Sequence, residues 1–319
     1  MVQDQVRCAL TEQGREKVFS SDDALTADAF AALMDAFAPF PPERRLAVAV
    51  SGGPDSMALA FCLRRWTATA TTPLAFIVDH ALRPGSAAEA ETTRQRLQTI
   101  GMRAEILRWE HDPILTKIHV AARQARYELL GDASRRHGIT DLLLAHHVED
   151  QAETVLMRLA KGSGVDGLAG MRVQTRREGI NLLRPLLNVP KARLIALCRD
   201  VALEFIDDTS NQSEQFARGR LRRLAPLLAA EGLTPERLAD LATRAGHASD
   251  ALEHYAAQFL AASSRRGMTG ALRIDLEALR RAPREIAGRA LDLCLRAVHS
   301  DTYVSEYASS MRLLDGLLT

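Results

Sequence analysis

Short apolar runs alternate with longer amphipathic stretches between residues 45 and 183. The runs suit buried strands and the stretches suit helices, which is the βαβ rhythm of a parallel sheet. The pattern predicts strands at Leu46–Val50, Leu74–Val78, Arg103–Leu107, Asp141–Ala145 and Ile180–Leu183, with either a strand or a loop at Met171–Thr175. Helices are predicted at Asp55–Trp66, at Ile118–His137 and from Glu149 onward. This part of the chain is therefore expected to be an α/β domain.

The pattern changes after about residue 212, where the strand signal almost vanishes. Helical periodicity predicts helices at Gln215–Ala230, Thr234–Leu260, Leu276–Leu279 and Pro283–Val298. We therefore expect an N-terminal helical extension over residues 1–44, the α/β domain over 45–215, and a smaller all-helical domain over 216–319.

Composition narrows the class of protein. With 319 residues and 47% hydrophobic side chains, the chain can bury the cores of two domains. No apolar run reaches the roughly 18 residues of a membrane span, and no signal peptide is visible, so we expect a cytoplasmic protein without a membrane partner. The 41 Lys+Arg and 40 Asp+Glu give a net charge of +1, which excludes binding of nucleic acid by bulk charge.

Positive charge is nevertheless concentrated between Arg172 and Arg223. This segment holds eleven basic and six acidic residues, a local surplus of five. Such a surface suits RNA phosphates, although a solubilising basic face is the simpler explanation. The candidate phosphate contacts are Arg184, Lys191, Arg193, Arg218, Arg220, Arg222 and Arg223.

A glycine-containing loop joins the first predicted strand to the first helix of the α/β domain. Its residues are Ser51, Gly52, Gly53, Pro54, Asp55 and Ser56. Paired glycines allow a tight turn, and the amide groups of a helix N-terminus attract an anion. A carboxylate beside phosphates requires a bridging divalent cation, so Asp55 implies Mg²⁺. The alternative is an ordinary turn in which Asp55 or Ser56 caps the helix.

A second candidate site follows the fourth predicted strand. His147, Asp150, Glu153 and Thr154 are spaced three or four residues apart, so they are expected on one helix face at the carboxyl edge of the sheet. Two acids one turn apart can hold Mg²⁺ or the ammonium group of an amino substrate. A solvated acidic face is the plainer alternative, and the spacing does not suit zinc.

Several motifs together resemble a known family. The Ser-Gly-Gly-x-Asp-Ser loop resembles the signature of the N-type ATP pyrophosphatases, and further stretches resemble the bacterial tRNA(Ile)-lysidine synthetases. These stretches are residues 78–84 (VDHALRP), 122–127 (ARQARY), 146–154 (HHVEDQAET), 162–164 (GSG) and 207–211 (DDTSN). The resemblance covers about residues 46–228. It implies a Rossmann-like parallel sheet followed by a helical domain.

The resemblance also implies a reaction and its residues. Family members use ATP to adenylate the wobble cytidine of a CAU-anticodon tRNA(Ile) and then attach L-lysine. Carried onto this chain, the catalytic residues would be Asp55, Asp150, Glu153 and Arg218. The ATP-binding residues would be the loop from Ser51 to Ser56 with Val78, His80, Arg123 and His146. Asp55 and Asp150 would hold Mg²⁺, and the basic residues named above would contact tRNA.

Ala81 stands where the family usually has glycine. The oligomeric state, a homodimer included, stays open.

Two alternatives compete with this function. A tRNA thiolase of the same superfamily would need reactive cysteines, yet Cys8, Cys62, Cys198 and Cys294 are far apart and form no CxxC pair. A non-catalytic nucleotide- or RNA-binding module would have little use for three acids beside a triphosphate.

Overall fold

The computed structural model describes residues 23–41, 43–67, 72–112, 118–206, 217–267, 272–298 and 307–318. The described residues form two compact units. The first unit contains residues 23–147 and 174–206, and the second contains residues 148–173 and the described residues from 217 onward.

The first unit is built on a six-stranded sheet with the order β3-β2-β1-β4-β6-β5. The strands are β1 Leu46–Val50, β2 Leu74–Asp79, β3 Arg103–Arg108, β4 Asp141–Leu143, β5 Gln174–Arg177 and β6 Ile180–Leu183. All neighbours pair in parallel except β5, which runs antiparallel to β6 at the edge. The carboxyl ends of β1, β2, β3, β4 and β6 therefore lie at one edge of the sheet, where open α/β folds bind ligands.

Helices cover both faces of this sheet. In chain order the helices of the protein are α1 Ala27–Asp35, α2 Pro54–Trp66, α3 Ser86–Thr99, α4 Ile118–His137, α5 Val148–Leu159, α6 Val165–Leu168, α7 Lys191–Asp200, α8 Ala217–Ala230, α9 Pro235–Ser263, α10 Leu276–Arg281, α11 Arg284–Val298 and α12 Tyr307–Leu318. One core contains Val48 of β1 with apolar residues of α1, α2, α3 and α7, while the other contains Ala47 of β1 with residues of α4. Adjacent strand residues thus face opposite cores, as strand geometry requires.

The described helix α1 belongs to the first core. Its Phe30 and Met34 are fully buried there, so this part of the predicted N-terminal extension packs with the α/β unit. Residues 1–22, which complete that extension, and residue 42 lie outside the described part of the chain.

The second unit is mostly helical. Ala152 and Val155 of α5 pack against Leu238 and Ala242 of α9, and a separate cluster joins α10, α11 and α12. A two-stranded antiparallel hairpin, β7 Ser264–Arg266 and β8 Leu272–Ile274, interrupts the helices. The prediction of an all-helical second part therefore missed this hairpin, because three-residue strands are too short to produce a recognisable alternation.

Two further differences concern the region between the units. The edge strand β5 begins at Gln174, three residues later than the predicted Met171. Helices α5 and α6 group with the second unit, because the apolar face of α5 packs on α9. The boundaries predicted from the sequence instead place both helices in the α/β domain. The predicted boundary between residues 215 and 216 lies outside the described residues and stays a prediction.

Among the described residues, no helix combines the length and the apolar character needed to cross a bilayer.

Candidate active site

The glycine loop makes the tight connection between β1 and α2. Gly52 is buried with φ of +88°, in the left-handed region that favours glycine. A Cβ atom at this position would lie 2.5 Å from Thr93 Oγ1 and 3.1 Å from Ile206 Cδ1. The carbonyl oxygen of Gly52 also accepts a 2.8 Å hydrogen bond from the Ile206 amide. Glycine is therefore required here both by backbone conformation and by space.

Two serines close the loop. The Ser56 hydroxyl donates to the Gly53 carbonyl oxygen at 3.0 Å and accepts from the Ser51 amide at 3.1 Å. The Ser51 and Ser56 hydroxyl oxygens lie 3.3 Å apart. Pro54 occupies the first turn of α2, where a missing amide hydrogen costs nothing. The remaining amides of this turn stand at the positive end of the helix dipole, which favours an anion.

Asp55 lies in the first turn of α2 between two basic side chains. Its Oδ2 lies 3.6 Å from His147 Nε2 and 3.3 Å from Lys191 Nζ. Burial raises the pKa of Asp55, but the His147 hydrogen bond and the His147 and Lys191 charges outweigh burial, so the pKa lies below its usual value. Asp55 is therefore ionised near pH 7.

The other carboxylate oxygen of Asp55 has a different environment. Among the described residues, none donates a hydrogen bond to Oδ1, although this atom is buried. A buried carboxylate oxygen without a protein donor fits a hard cation such as Mg²⁺, which binds through one or two carboxylates together with phosphate oxygens.

The other residues assigned to ATP are spread along the carboxyl edge of the first unit. Val78 is in β2, His80 follows β2, and His146 lies three residues after β4. Burial lowers the pKa of His80, and the charge of Arg126 lowers it further, so His80 is neutral near pH 7. Arg123 lies in the first half of α4, with its guanidinium 5.3 Å from the ring centre of Tyr127.

Four arginines surround Tyr127. Besides Arg123, the guanidinium groups of Arg126 and Arg177 lie 5.6 and 4.1 Å from the Tyr127 ring centre. The side chain of Arg184 forms a hydrogen bond with Tyr127. Burial raises the pKa of Tyr127, but the arginine charges outweigh it and lower the pKa. The described residues thus hold a dense positive cluster on α4, β5 and the residue that follows β6.

This cluster does not favour the predicted contact of Arg184 with tRNA, which stays a prediction. Arg184 is only 7% exposed and donates to Thr175 Oγ1 at 3.1 Å. Because it follows the buried strand β6 directly, its side chain is drawn into the interior instead of projecting into solvent.

Two other basic residues of the predicted tRNA surface have local roles in the first unit. Lys191, at the first position of α7, contacts Asp55 as described above. Arg193 donates from Nε to the carbonyl oxygen of Asp23 at 2.9 Å. Each of these two basic side chains therefore has a partner within the protein. Their presence in the sequence does not by itself require a phosphate of RNA as a partner.

The second unit holds the predicted acidic pair. Asp150 and Glu153 lie one turn apart on α5, and Glu153 is 6% exposed. Arg222 of α8 donates from Nε to Glu153 Oε1 at 2.6 Å, and its terminal nitrogen lies 3.8 Å from Asp150 Oδ1. Arg218, one turn earlier on α8, lies 3.8 Å from Glu153 Oε2. The acids therefore face a cationic helix instead of open solvent.

The other α8 arginines lie on a different side of the helix. Arg220 and Arg223 are exposed and three residues apart, whereas Arg218 and Arg222 share the side that meets α5. The motif at residues 207–211 lies outside the described residues.

Two contacts of Asp55 were missed by sequence reasoning. His147 was expected to share a helix face with Asp150, but α5 begins at Val148 and His147 instead contacts Asp55. The doubled histidine directly after a parallel strand was the available signal. The contact of Lys191 with Asp55 had no local signal, since the two residues lie on different helices far apart in sequence.

The described cysteines do not resemble reactive thiols. Cys62, Cys198 and Cys294 are buried. Burial, reinforced by the neighbouring Cys198, raises the pKa of Cys62 to about 12, and burial raises the pKa of Cys198 to about 11. Reactive thiols instead have lowered pKa values, so these three residues do not favour sulfur chemistry. Cys8 lies outside the described residues.

Comparisons with known proteins identify the family of this chain. A family model described as a PP-loop domain matches residues 26–228. A tRNA(Ile)-lysidine synthase of Bradyrhizobium sp. is 46% identical over 274 residues, covering 82% of this chain and 75% of the relative. The synthase of Methylobacterium nodulans is 44% identical over 252 residues, covering 79% and 74%.

A solved structure supports the fold alone. The U34-tRNA thiolase NcsA from Methanococcus maripaludis, solved with its 4Fe–4S cluster, is 15% identical to this chain with a TM-score of 0.58. The likeness covers 68% of this chain and 78% of that protein. At this identity it shows a shared architecture and does not transfer the thiolase activity.

Proposed function

This chain belongs to the tRNA(Ile)-lysidine synthase family of PP-loop proteins, and we propose that it attaches L-lysine to C2 of the wobble cytidine of a CAU-anticodon tRNA(Ile). In the first step the cytidine O2 atom attacks the α-phosphorus of ATP, and pyrophosphate leaves. In the second step the lysine amine attacks C2, the C2–O2 bond breaks, and AMP leaves with that oxygen. The protein is thus an ATP-dependent ligase.

The observation that carries the ATP step is the position of Asp55 in the first turn of α2, directly after the glycine loop. The loop amides and the hydroxyl of Ser51 can bind phosphate oxygens, and Lys191 adds a positive charge beside Asp55. Positioning and electrostatic stabilisation of this kind are the main contributions of a protein to phosphoryl transfer.

Mg²⁺ fits Asp55 through its unpartnered Oδ1 atom. No cluster of three or more His, Cys, Asp or Glu side chains in the described ranges is arranged as a metal site. We therefore propose that Asp55 supplies one ligand and that nucleotide phosphates and water supply others, as is usual for Mg²⁺. When bound, the ion would neutralise phosphate charge. The assignment of Asp150 as a second ligand stays a prediction.

The acidic pair on α5 supports the lysine step. Glu153 and Asp150 already face a cationic nitrogen of Arg222, which is evidence that this pair can hold a positively charged group. We propose that the substrate ammonium replaces Arg222 and that Asp150 or Glu153 accepts its proton before attack on C2. His80, Arg123 and His146 remain proposed nucleotide contacts in the first unit.

We propose that helix α8 binds the RNA. Its exposed Arg220 and Arg223 suit backbone phosphates, and Arg218 and Arg222 become available to phosphates if the substrate ammonium takes over the carboxylates. Arg218 is also proposed to stabilise charge that develops during adenylation. A tRNA substrate implies a cytoplasmic protein, and the homodimer stays a prediction.

Incubation of the protein with ATP, radiolabelled lysine and tRNA(Ile) carrying CAU tests the function. We expect lysine to enter the RNA with stoichiometric AMP, and no incorporation into the same tRNA with the wobble cytidine replaced by uridine. Absence of label in the RNA, together with pyrophosphate release that does not depend on tRNA, would overturn the assignment.

Asp55→Asn tests the ATP step separately. We expect tRNA-dependent pyrophosphate release to fall about 10²–10³-fold, since an electrostatic contact to the reacting phosphates is lost. Asp28→Asn is the matched control, because Asp28 is an exposed acid in the first turn of α1. Equal pyrophosphate release by both variants would refute the role of Asp55.

A further inference from the structure

Lys191 and Asp55 form an ion pair between the first turns of two helices. Lys191 is the first residue of α7 and Asp55 belongs to the first turn of α2, and Lys191 Nζ lies 3.3 Å from Asp55 Oδ2. The Asp55 side chain is 21% exposed, whereas the Lys191 side chain is 41% exposed. The carboxylate is therefore the more enclosed member of the pair, and the ammonium group is the one that solvent and a ligand can reach.

Helix α7 is anchored against α2, so the backbone of Lys191 has a fixed place beside the glycine loop. Leu194 of α7 is buried in the same core as Met57 of α2. The Cys198 thiol donates to the Pro54 carbonyl oxygen at 3.6 Å. Lys191, Leu194 and Cys198 are spaced three and four residues apart, so they share the side of α7 that meets α2. The position of the ammonium group thus follows from helix packing.

The first turn of α7 is an unfavourable place for a lysine. Amide groups at a helix N-terminus carry partial positive charge, so a cation there is repelled. The first turn of α7 contains no acidic residue, and its N-cap residue, Pro190, provides no side-chain hydrogen bond to the amides. Helix formation therefore gives no reason for a positive charge at residue 191. What the charge gains is the contact with Asp55.

The charge balance of this pair limits what Asp55 can bind. Protein sites for divalent cations collect negative charge, but here the positive charge of Lys191 cancels that of Asp55. His147, with Nε2 at 3.6 Å from Asp55 Oδ2, adds no negative charge. Two cations a few ångström apart repel each other. A divalent cation alone therefore gains little at Asp55, whereas one that arrives with nucleotide phosphates brings negative charge with it.

We propose that Lys191 is an internal counter-ion that keeps free divalent cations away from Asp55 and admits them only together with nucleotide phosphates. The flexible four-carbon side chain can turn its ammonium group from Asp55 Oδ2 to a phosphate oxygen while the backbone stays in place. The inference rests on the proposed function in taking Asp55 as the metal ligand, and it adds the order in which the ligands bind. Asp55 Oδ1, which is buried and accepts no hydrogen bond from the described residues, is the atom left for the cation.

Opposite shifts of two affinities test this role. Mn²⁺ alone, measured by electron paramagnetic resonance, is the cation probe, and ATP in EDTA, measured by calorimetry, is the anion probe. Lys191→Met removes the charge and keeps an unbranched apolar side chain. We expect Mn²⁺ to bind about 10-fold more tightly and metal-free ATP about 10-fold more weakly, the effect of one unit charge acting over a few ångström in water. A merely structural role would weaken the binding of both probes.

Three further variants locate the effect. Lys191→Arg keeps the charge, so both affinities should stay close to those of the wild type. Lys161→Met, which removes an exposed lysine from the second unit, should change neither affinity and is the matched control. Addition of Asp55→Asn to Lys191→Met should abolish the gain in Mn²⁺ affinity, because the carboxylate that binds the ion is lost. Urea unfolding of each variant shows that it folds as the wild type does.

The outcomes separate the counter-ion role from the function. Shifts of both affinities in the same direction, or of neither, would overturn the role of Lys191 and leave the ligase function standing. A gain in Mn²⁺ affinity that persists after Asp55→Asn would overturn it too, because the ion would then bind elsewhere. Weaker binding of tRNA with unchanged Mn²⁺ and ATP affinities would assign Lys191 to RNA instead. Failure of the wild-type protein to bind ATP, with or without Mg²⁺, would refute the proposed function itself.

Discussion

Arg222 donates a 2.6 Å hydrogen bond to Glu153, across 69 positions of sequence. Glu153 is largely buried on α5, whereas Arg222 is about two-fifths exposed on α8. The carboxylate is therefore the fixed member of the pair and the guanidinium is the one that solvent and RNA phosphates can reach. This asymmetry underlies the proposal that a substrate ammonium replaces Arg222.

Glu153→Gln should separate the two chemical steps. We expect lysine transfer to fall about 10²–10⁴-fold because the variant cannot hold the ammonium or accept its proton, while tRNA-dependent pyrophosphate release persists. Labelled lysine and released pyrophosphate are measured in the same reaction. Glu236→Gln, an exposed acid at the start of α9, serves as the control. Undiminished lysine transfer in Glu153→Gln would contradict the assignment.

The exposed α8 arginines should set the salt dependence of RNA binding. Each phosphate contact contributes about 0.7–0.9 to the slope of log K against log salt, so Arg220→Ala combined with Arg223→Ala should reduce the slope by about 1.5. Filter binding of tRNA at several salt concentrations measures it. Arg280→Ala, whose side chain pairs with Glu277 on α10, should leave the slope unchanged. An unchanged slope in the α8 variant would remove α8 from the RNA surface.

Gly52→Ala should destabilise the first unit. The substitution forces a side chain into the left-handed region and against Thr93, which together should lower the free energy of unfolding by about 1–3 kcal/mol. Gly53→Ala is the matched control, because Gly53 has φ of −74° and its Cβ would find no atom closer than 3.9 Å. Urea unfolding of both variants provides the measurement. Equal stabilities would show that the loop relaxes without cost.

Ala81→Gly should stabilise the protein. Ala81 has φ of +52°, and its amide is held in this conformation by a 2.9 Å hydrogen bond to Asp79 Oδ1. Relief of left-handed strain exceeds the extra chain entropy of glycine, so we expect a gain of about 0.5–1 kcal/mol in thermal or urea unfolding. Ala88→Gly, on the exposed face of α3, should instead cost about 1 kcal/mol. A loss of stability in Ala81→Gly would contradict the strain argument.

Asp141→Asn should cost about 3–5 kcal/mol, because it breaks the buried bidentate ion pair with Arg44. Burial raises the pKa of Asp141, but bonds from Arg44, Thr140 and Asn181 outweigh it and lower the pKa. The wild type should therefore keep this stabilisation above about pH 4 and lose it as the pH falls further, whereas Asp141→Asn should lack this loss.

Urea unfolding across this pH range measures the effect of Asp141→Asn. Asp132→Asn, which breaks an exposed pair with Arg135, should cost at most about 1 kcal/mol and is the control. Similar losses in the two variants would contradict the importance of burial for the Asp141 pair.

The sequence by itself determined the local elements and the phosphate loop. The predicted bounds of β1, β6 and α4 agree with the structure, because apolar periodicity reflects the backbone geometry of each segment directly. The position of Asp55 after a strand and at a helix start also follows from order along the chain, since a strand–loop–helix connection is local.

Only the tertiary structure decided which side chains meet. Lys191 and His147 contact Asp55, Arg184 is buried beside Tyr127, and α5 packs with the second unit. These relationships join residues distant in sequence, and they depend on how helices pack on the sheet and on each other. Periodicity predicts which face of a helix is apolar but not which partner covers it, so the pairing of Glu153 with Arg222 required the folded chain.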